Sequence, residues 1–85
     1  MYWVYIIECS DGTFYTGWTN DLVKRMAAHG SGRGAKYTRG RTPVTLKYTE
    51  ECASRNAAMQ RERQIQHLPR SEKKALIESH MRKKA

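Results

Sequence analysis

From Tyr2 to Ile7 the chain is apolar without a break. A half-covered strand alternates apolar and polar positions, whereas a strand covered on both faces does not. Residues Tyr2–Cys9 therefore predict a strand central in its sheet. Ser10-Asp11-Gly12 is a turn, and Thr13–Trp18 is the strand that returns from it. The length of that turn decides which side chains share a face. A two-residue Asp-Gly loop sends Tyr5 and Tyr15 to opposite faces. A three-residue loop with Gly12 in the left-handed position puts Cys9 opposite Thr13, Tyr5 opposite Gly17 and Ile7 opposite Tyr15. The two phenols are then diagonal neighbours on one face. The glycine at the third loop position favours the longer loop.

Beyond Trp18 the period changes. Thr19, Asn20 and Asp21 can each cap a helix, and Gly30 can stop it. Leu22, Val23, Met26 and Ala27 form its apolar stripe. At about 100° per residue, Arg25 and His29 stand one turn apart on the border of that stripe. Residues Gly30–Pro43 hold four glycines and the cations Arg33, Lys36, Arg39 and Arg41, and they read as a long basic loop. Val44, Leu46 and Tyr48 alternate with Thr45, Lys47 and Thr49, which predicts a half-covered strand over 44–50. Ser54 can cap a helix to about His67. Leu68-Pro69-Arg70 interrupts it, and a last helix runs from Ser71 to about Arg82. The order strand-strand-helix-strand-helix-helix, with a tight first hairpin, is α+β with an at least partly antiparallel sheet. Residues 1–80 read as one domain and 81–85 as a basic tail.

Length and charge narrow the function classes. A chain of 85 residues suits one domain that buries about 60–65% of its unfolded surface. Lysine and arginine number 16 against 8 acidic residues, a net charge of +8. That field attracts polyanions, nucleic acid first among them, and removing Arg82, Lys83 and Lys84 leaves most of it in place. The apolar run at Tyr2–Ile7 is too short to span a bilayer, so no membrane partner is expected. Cys9 and Cys52 could pair, but the strand pattern begins at Tyr2 with no basic leader before it. Two free thiols in a reducing cytoplasm are the expectation.

Four features could carry chemistry, and each has a plainer reading. Tyr5 and Tyr15 could simply pack. A phenol with a pKa of about 10 is a poor base unless cations or a metal lower that value, and Arg25 and His29 are the cations this chain offers. Arg25 and His29 could lie on a solvated helix edge, or converge on a phosphate that the guanidinium grips and the imidazole serves as a proton relay. Glu62 lies beside the Ala58/Ile65 strip. It could pair with Arg61, Arg63 or a strand residue, or hold Mg²⁺ with mostly water as the other ligands. Lys36, Tyr37, Arg39 and Arg41 set cations around one aromatic, suited to phosphate contact and base stacking, or to a solvated loop. Cys9, Cys52, His29, His67 and His80 lack zinc-ligand spacing. There is no GxxxxGK or GxGxxG loop, and no serine or cysteine nucleophile in a recognised setting.

Val4-Tyr5-Ile6 and Tyr15-Thr16-Gly17 resemble the two halves of the GIY-YIG nuclease signature. The continuation "TNDLVKRMAAHGSGRGAKYTRGRTPVTL" and then "AMQRERQI" is similar to the small stand-alone members of that family. The resemblance runs from Tyr2 to about Ile77. Trp3-Val4 and Thr16 replace the residues of the family name beside the tyrosines, and Gln66 stands where similar proteins often have lysine. Family nucleases usually carry a further DNA-binding domain, and these 85 residues hold none. The resemblance implies a small three-stranded antiparallel sheet flanked by helices. It implies an endonuclease that hydrolyses DNA phosphodiesters with one divalent metal, Mg²⁺ or Mn²⁺, on Glu62. Tyr5 would activate water with help from His29, Tyr15 would position water or phosphate, and Arg25 would neutralise growing charge. DNA is expected over RNA, with room for a protein partner that supplies the target. The competing reading is a module on a nuclease fold that binds nucleic acid without cutting it.

Overall fold

The Ser10–Gly12 turn closes as the longer loop. Gly12 has φ +83°, its N–H donates to Cys9 O at 2.9 Å, and Cys9 N–H donates to Thr13 O at 2.8 Å. In the computed structural model, which describes residues 1–33, 38 and 40–84, this turn joins β1 (Tyr2–Glu8) to β2 (Phe14–Thr19). The register pairs Tyr5 with Gly17 and Ile7 with Tyr15, so the two phenols share a face. Beyond the hairpin come α1 (Leu22–Gly30), β3 (Thr45–Cys52), α2 (Arg55–Gln66) and α3 (Arg70–Lys84). β3 also runs antiparallel to β1, and the sheet order is β2-β1-β3. The molecule is thus α+β, with three antiparallel strands and three α-helices among the described residues.

The unbroken apolar run of β1 is explained by its central place. Val4, Tyr5, Ile6 and Ile7 are all fully buried. Val4 and Ile6 face the main core, with Tyr48, Cys52, Ala58 and Ile65 of β3 and α2 and Ile77 of α3. Tyr5 and Ile7 lie on the other face, where α1 supplies the buried His29. Burying an isoleucine or leucine side chain contributes about 1.5–3 kcal/mol, so this small core dominates the stability of the domain.

β3 departs from the simple alternation expected of it. Ile6 pairs with Tyr48 but Ile7 pairs with Leu46, so a bulge falls at Lys47. One extra residue flips the parity of a strand. Tyr48 therefore turns into the main core while Leu46 stays 42% exposed. The strand also runs two residues further than its alternation marks, to the buried Cys52.

Helix ends follow the caps. Asp21 Oδ1 accepts the Lys24 N–H at 3.1 Å and Ser54 Oγ accepts the Ala57 N–H at 3.1 Å. The stop of α1 lies past Gly30. Ser31 N–H donates to Ala27 O, Arg33 N–H donates to Ala28 O, and the left-handed residue is Gly32 at φ +79°. Pro69 precedes α3, which runs to Lys84, past the end expected near Arg82 and through most of the residues read as a basic tail. Cys9 and Cys52 are buried free thiols. Among the described residues, no helix is long and apolar enough to cross a membrane.

Candidate active site

α1 turns a different side inward from the one its apolar residues mark. Val23 is 83% exposed and Ala27 is exposed, whereas Arg25 is half-buried and His29 is fully buried. The inner line is Leu22, Arg25, Met26 and His29, spaced as one helical face. The two residues with chemistry stand in the middle of the packed side, not at the border of a stripe.

What receives them is the pair of phenols. Tyr5 Oη lies 3.0 Å from His29 Nε2, and Arg25 donates its Nε–H to the same oxygen at 3.4 Å. The Tyr5 and Tyr15 ring centroids are 6.5 Å apart, and the His29 ring stands 5.7 Å from Tyr5 and 5.5 Å from Tyr15. His29 Nδ1 is in turn 2.9 Å from Thr38 Oγ1, and Thr38 is fully buried.

Gly17 makes room for this cluster. A Cβ built there would stand 2.5 Å from Tyr5 Oη and 2.7 Å from Tyr5 Cζ. No real side chain tolerates that approach to a fixed ring. The Tyr5 ring lies over the bare backbone of β2, and its hydroxyl reaches the edge of the sheet. A cleft of about 450 Å³ opens at that edge. Tyr5, Tyr15 and Arg25 line it from the α1 side, and Glu62 enters from α2, with Tyr2, Trp18 and Arg55 on the rim. The Arg55 guanidinium sits 5.5 Å from the Trp18 ring centre. Gln66, one turn after Glu62, donates its Nε2–H to Thr16 O at 3.3 Å and ties α2 to β2.

Glu62 has no hydrogen-bond or ion-pair partner among the described residues. Arg61, which could have taken it, is held by Glu50, with Nε 3.0 Å from both carboxylate oxygens. Burial raises the Glu62 carboxyl above the usual range, and Arg63 only partly offsets this. Described residues include no cluster of three or more acidic, histidine or cysteine side chains that could cage a metal. One unpaired carboxylate facing an open cleft instead fits a hydrated Mg²⁺-type ion that shares its shell with water and substrate oxygens.

The electrostatics correct one expectation. Arg25 and His29 were the cations that should lower the phenols. Burial dominates instead and raises Tyr5, against the hydrogen bond and charge of Arg25, while Tyr15 and Glu62 add to the rise. Tyr15 is raised in the same way. His29 is lowered by burial and by Arg25, so it is neutral at neutral pH and lends the phenols no charge. In the free protein both phenols keep their protons.

Five residues singled out in the sequence, Tyr5, Tyr15, Arg25, His29 and Glu62, thus meet at one place, four lining the cleft and His29 bonded behind Tyr5. Lys36, Tyr37 and Arg39 lie outside the described residues. Arg41 pairs with Asp11 at 3.6 Å, and its carbonyl accepts the Ser10 N–H, so it fastens the end of the loop to the hairpin. Gly17 and Thr38 escape sequence reasoning. The register expected for the hairpin already sets Gly17 opposite Tyr5, a usable signal, whereas nothing local marks Thr38.

Proteins of similar sequence share this fold. The model of the GIY-YIG catalytic domain matches residues 1–75. UPF0213 protein VNG_2274C of Halobacterium salinarum is 59% identical over 77 residues, covering 91% of this chain and 100% of that protein. UPF0213 protein CPE1444 of Clostridium perfringens is 52% identical, over 93% of this chain and 85% of its own length. The solution NMR structure of UPF0213 protein BH0048 from Bacillus halodurans superposes with a TM-score of 0.59 at 47% identity, covering 92% of this chain and 84% of that one. That of EF2693 from E. faecalis gives 0.62 at 35% identity, over 92% and 83%. With the sheet, the paired phenols and the cleft in place, the chain belongs to the GIY-YIG nuclease family, among its small UPF0213 members.

Proposed function

We propose that this protein is a metal-dependent endonuclease that hydrolyses phosphodiester bonds in DNA. The observation that carries the reading is the meeting of Tyr5, Tyr15, Arg25 and Glu62 around one cleft, with His29 bonded to the Tyr5 hydroxyl. Phosphodiester hydrolysis needs an aligned water, a place for its proton and cancellation of negative charge on the phosphate. Arg25 supplies fixed positive charge. Tyr15 offers a hydroxyl to orient water or a phosphate oxygen. Tyr5 takes the proton of the attacking water as its own proton passes to His29 Nε2, so the buried phenol never has to hold a full negative charge. A divalent ion at Glu62 would supply Lewis-acid charge to the scissile phosphate and to the departing 3′ oxygen. The net charge of +8 draws the substrate in.

Labelled single-stranded, duplex and branched DNA, with RNA as comparison, incubated with Mg²⁺ or Mn²⁺ tests the reading. Wild type cleaves DNA, and Glu62→Gln loses activity by about a hundredfold or more, the order expected when a group central to the chemistry is removed. Wild-type cleavage no greater than that of Glu62→Gln contradicts it. The alternative, a module that binds without cutting, draws on the neutral state of both phenols and of His29. It predicts salt-sensitive binding that needs no metal and survives Tyr5→Phe and Glu62→Ala.

A further inference from the structure

We infer that Thr38 is a positioning residue, which fixes His29 in the tautomer protonated at Nδ1 and so keeps the Nε2 lone pair open to the Tyr5 phenol proton. The inference rests on the nuclease reading for its role in the reaction, but its physical content belongs to the free protein.

Tyr5 borders the cleft yet is itself fully buried in the free protein, and a buried O–H there donates to a protein acceptor. Among the described residues, two groups are bonded to that oxygen, Arg25 Nε at 3.4 Å and His29 Nε2 at 3.0 Å. A guanidinium has no acceptor. The phenol therefore accepts from Arg25 and donates to His29 Nε2. A neutral imidazole that accepts at Nε2 carries its hydrogen at Nδ1, and the partner there is Thr38 Oγ1 at 2.9 Å. His29 and Thr38 are themselves fully buried, so no solvent can replace either bond. With the threonine oxygen gone, an Nδ1–H is left unsatisfied in the interior, which costs more than an unsatisfied ring lone pair. The proton then shifts toward Nε2, the imidazole becomes a donor to Tyr5, and the phenol loses its acceptor. Thr38 also ties the loop after α1 to the back of the site, across nine residues of sequence.

Two variants separate the oxygen from the shape. Thr38→Val keeps the volume without the hydroxyl, and Thr38→Ser keeps the hydroxyl. Long-range ¹⁵N correlation spectra of labelled protein at about pH 8, with the His29 signals assigned by their loss in His29→Gln, distinguish a protonated ring nitrogen from a bare one. Wild type and Thr38→Ser show Nδ1 protonated and Nε2 bare, and Thr38→Val shows a mixture or the reverse. Single-turnover DNA cleavage slows about tenfold or more in Thr38→Val and stays within about threefold of wild type in Thr38→Ser, as expected for disturbing one proton-transfer partner. A wild-type His29 protonated at Nε2 overturns the inference, and that spectrum needs no variant to fold. A Thr38→Val spectrum like wild type, or a scrambled tautomer with unchanged cleavage, overturns it as well. A wild type that cleaves nothing sinks the nuclease reading, while the tautomer spectra still decide the role of Thr38.

Discussion

Gly17 is the residue on which the site geometry turns. Its missing side chain lets the Tyr5 ring cross β2, and a Cβ there would fall 2.5 Å from the hydroxyl. Gly17→Ala must displace a ring held by His29 and Arg25. We expect a loss of about 1–3 kcal/mol in urea unfolding, the usual cost of overpacking a core, together with loss of cleavage. An unchanged midpoint and rate would show that the ring yields freely. His29 gives a pH signature. Its folded pKa is lowered, so between its ordinary value of about 6.5 and that lower value the unfolded state binds more protons than the native one. This contribution to stability is complete above about pH 6.5 and is lost as pH falls through the folded value. His29→Gln is therefore expected to flatten the decline of Tm from pH 7 to 5 relative to wild type, and an identical slope contradicts the assignment. At this scale the sequence is a partial guide. The reactive residue types are visible in it. The sign of the phenol shift is not, because it depends on how much water reaches the ring.

Among elements, the hairpin is the most legible. One glycine at the third loop position selects the register, and the register places Tyr5 and Tyr15 together. α1 is the least legible, because its packed face combines Leu22 and Met26 with the polar Arg25 and His29, while Val23 and Ala27, which periodicity also counts, face out. β3 misleads for another reason: a bulge leaves no mark in alternation, so Leu46 and Tyr48 part company without warning. Thr16 records a further compromise in β2. Its side chain is buried, and its hydroxyl is unpaired among the described residues. Removing an unsatisfied buried hydroxyl without changing shape is neutral to stabilising. Thr16→Val is expected to gain up to about 1 kcal/mol in thermal unfolding without loss of cleavage, since Gln66 bonds the Thr16 carbonyl rather than its side chain. A loss of stability would mean that the hydroxyl has a partner.

At the scale of the whole molecule, a charge of +8 on 85 residues favours polyanions in general and distinguishes none of them. On the proposed reading, selection of a bond to cut falls to the small cleft, where two helices and a hairpin each contribute side chains. No single stretch of sequence contains that cleft. It exists because β1 is central, β2 is an edge strand, and α1 and α2 approach the edge from opposite faces. The most direct test is an end-group analysis of DNA incubated with the protein and Mg²⁺, run beside Tyr5→Phe. Water attack with departure of the 3′ oxygen predicts products that carry 5′-phosphate and 3′-hydroxyl ends, formed by wild type and reduced about a hundredfold or more by the loss of one phenolic oxygen. Products with 3′-phosphate ends, or equal cleavage by Tyr5→Phe, would contradict the account.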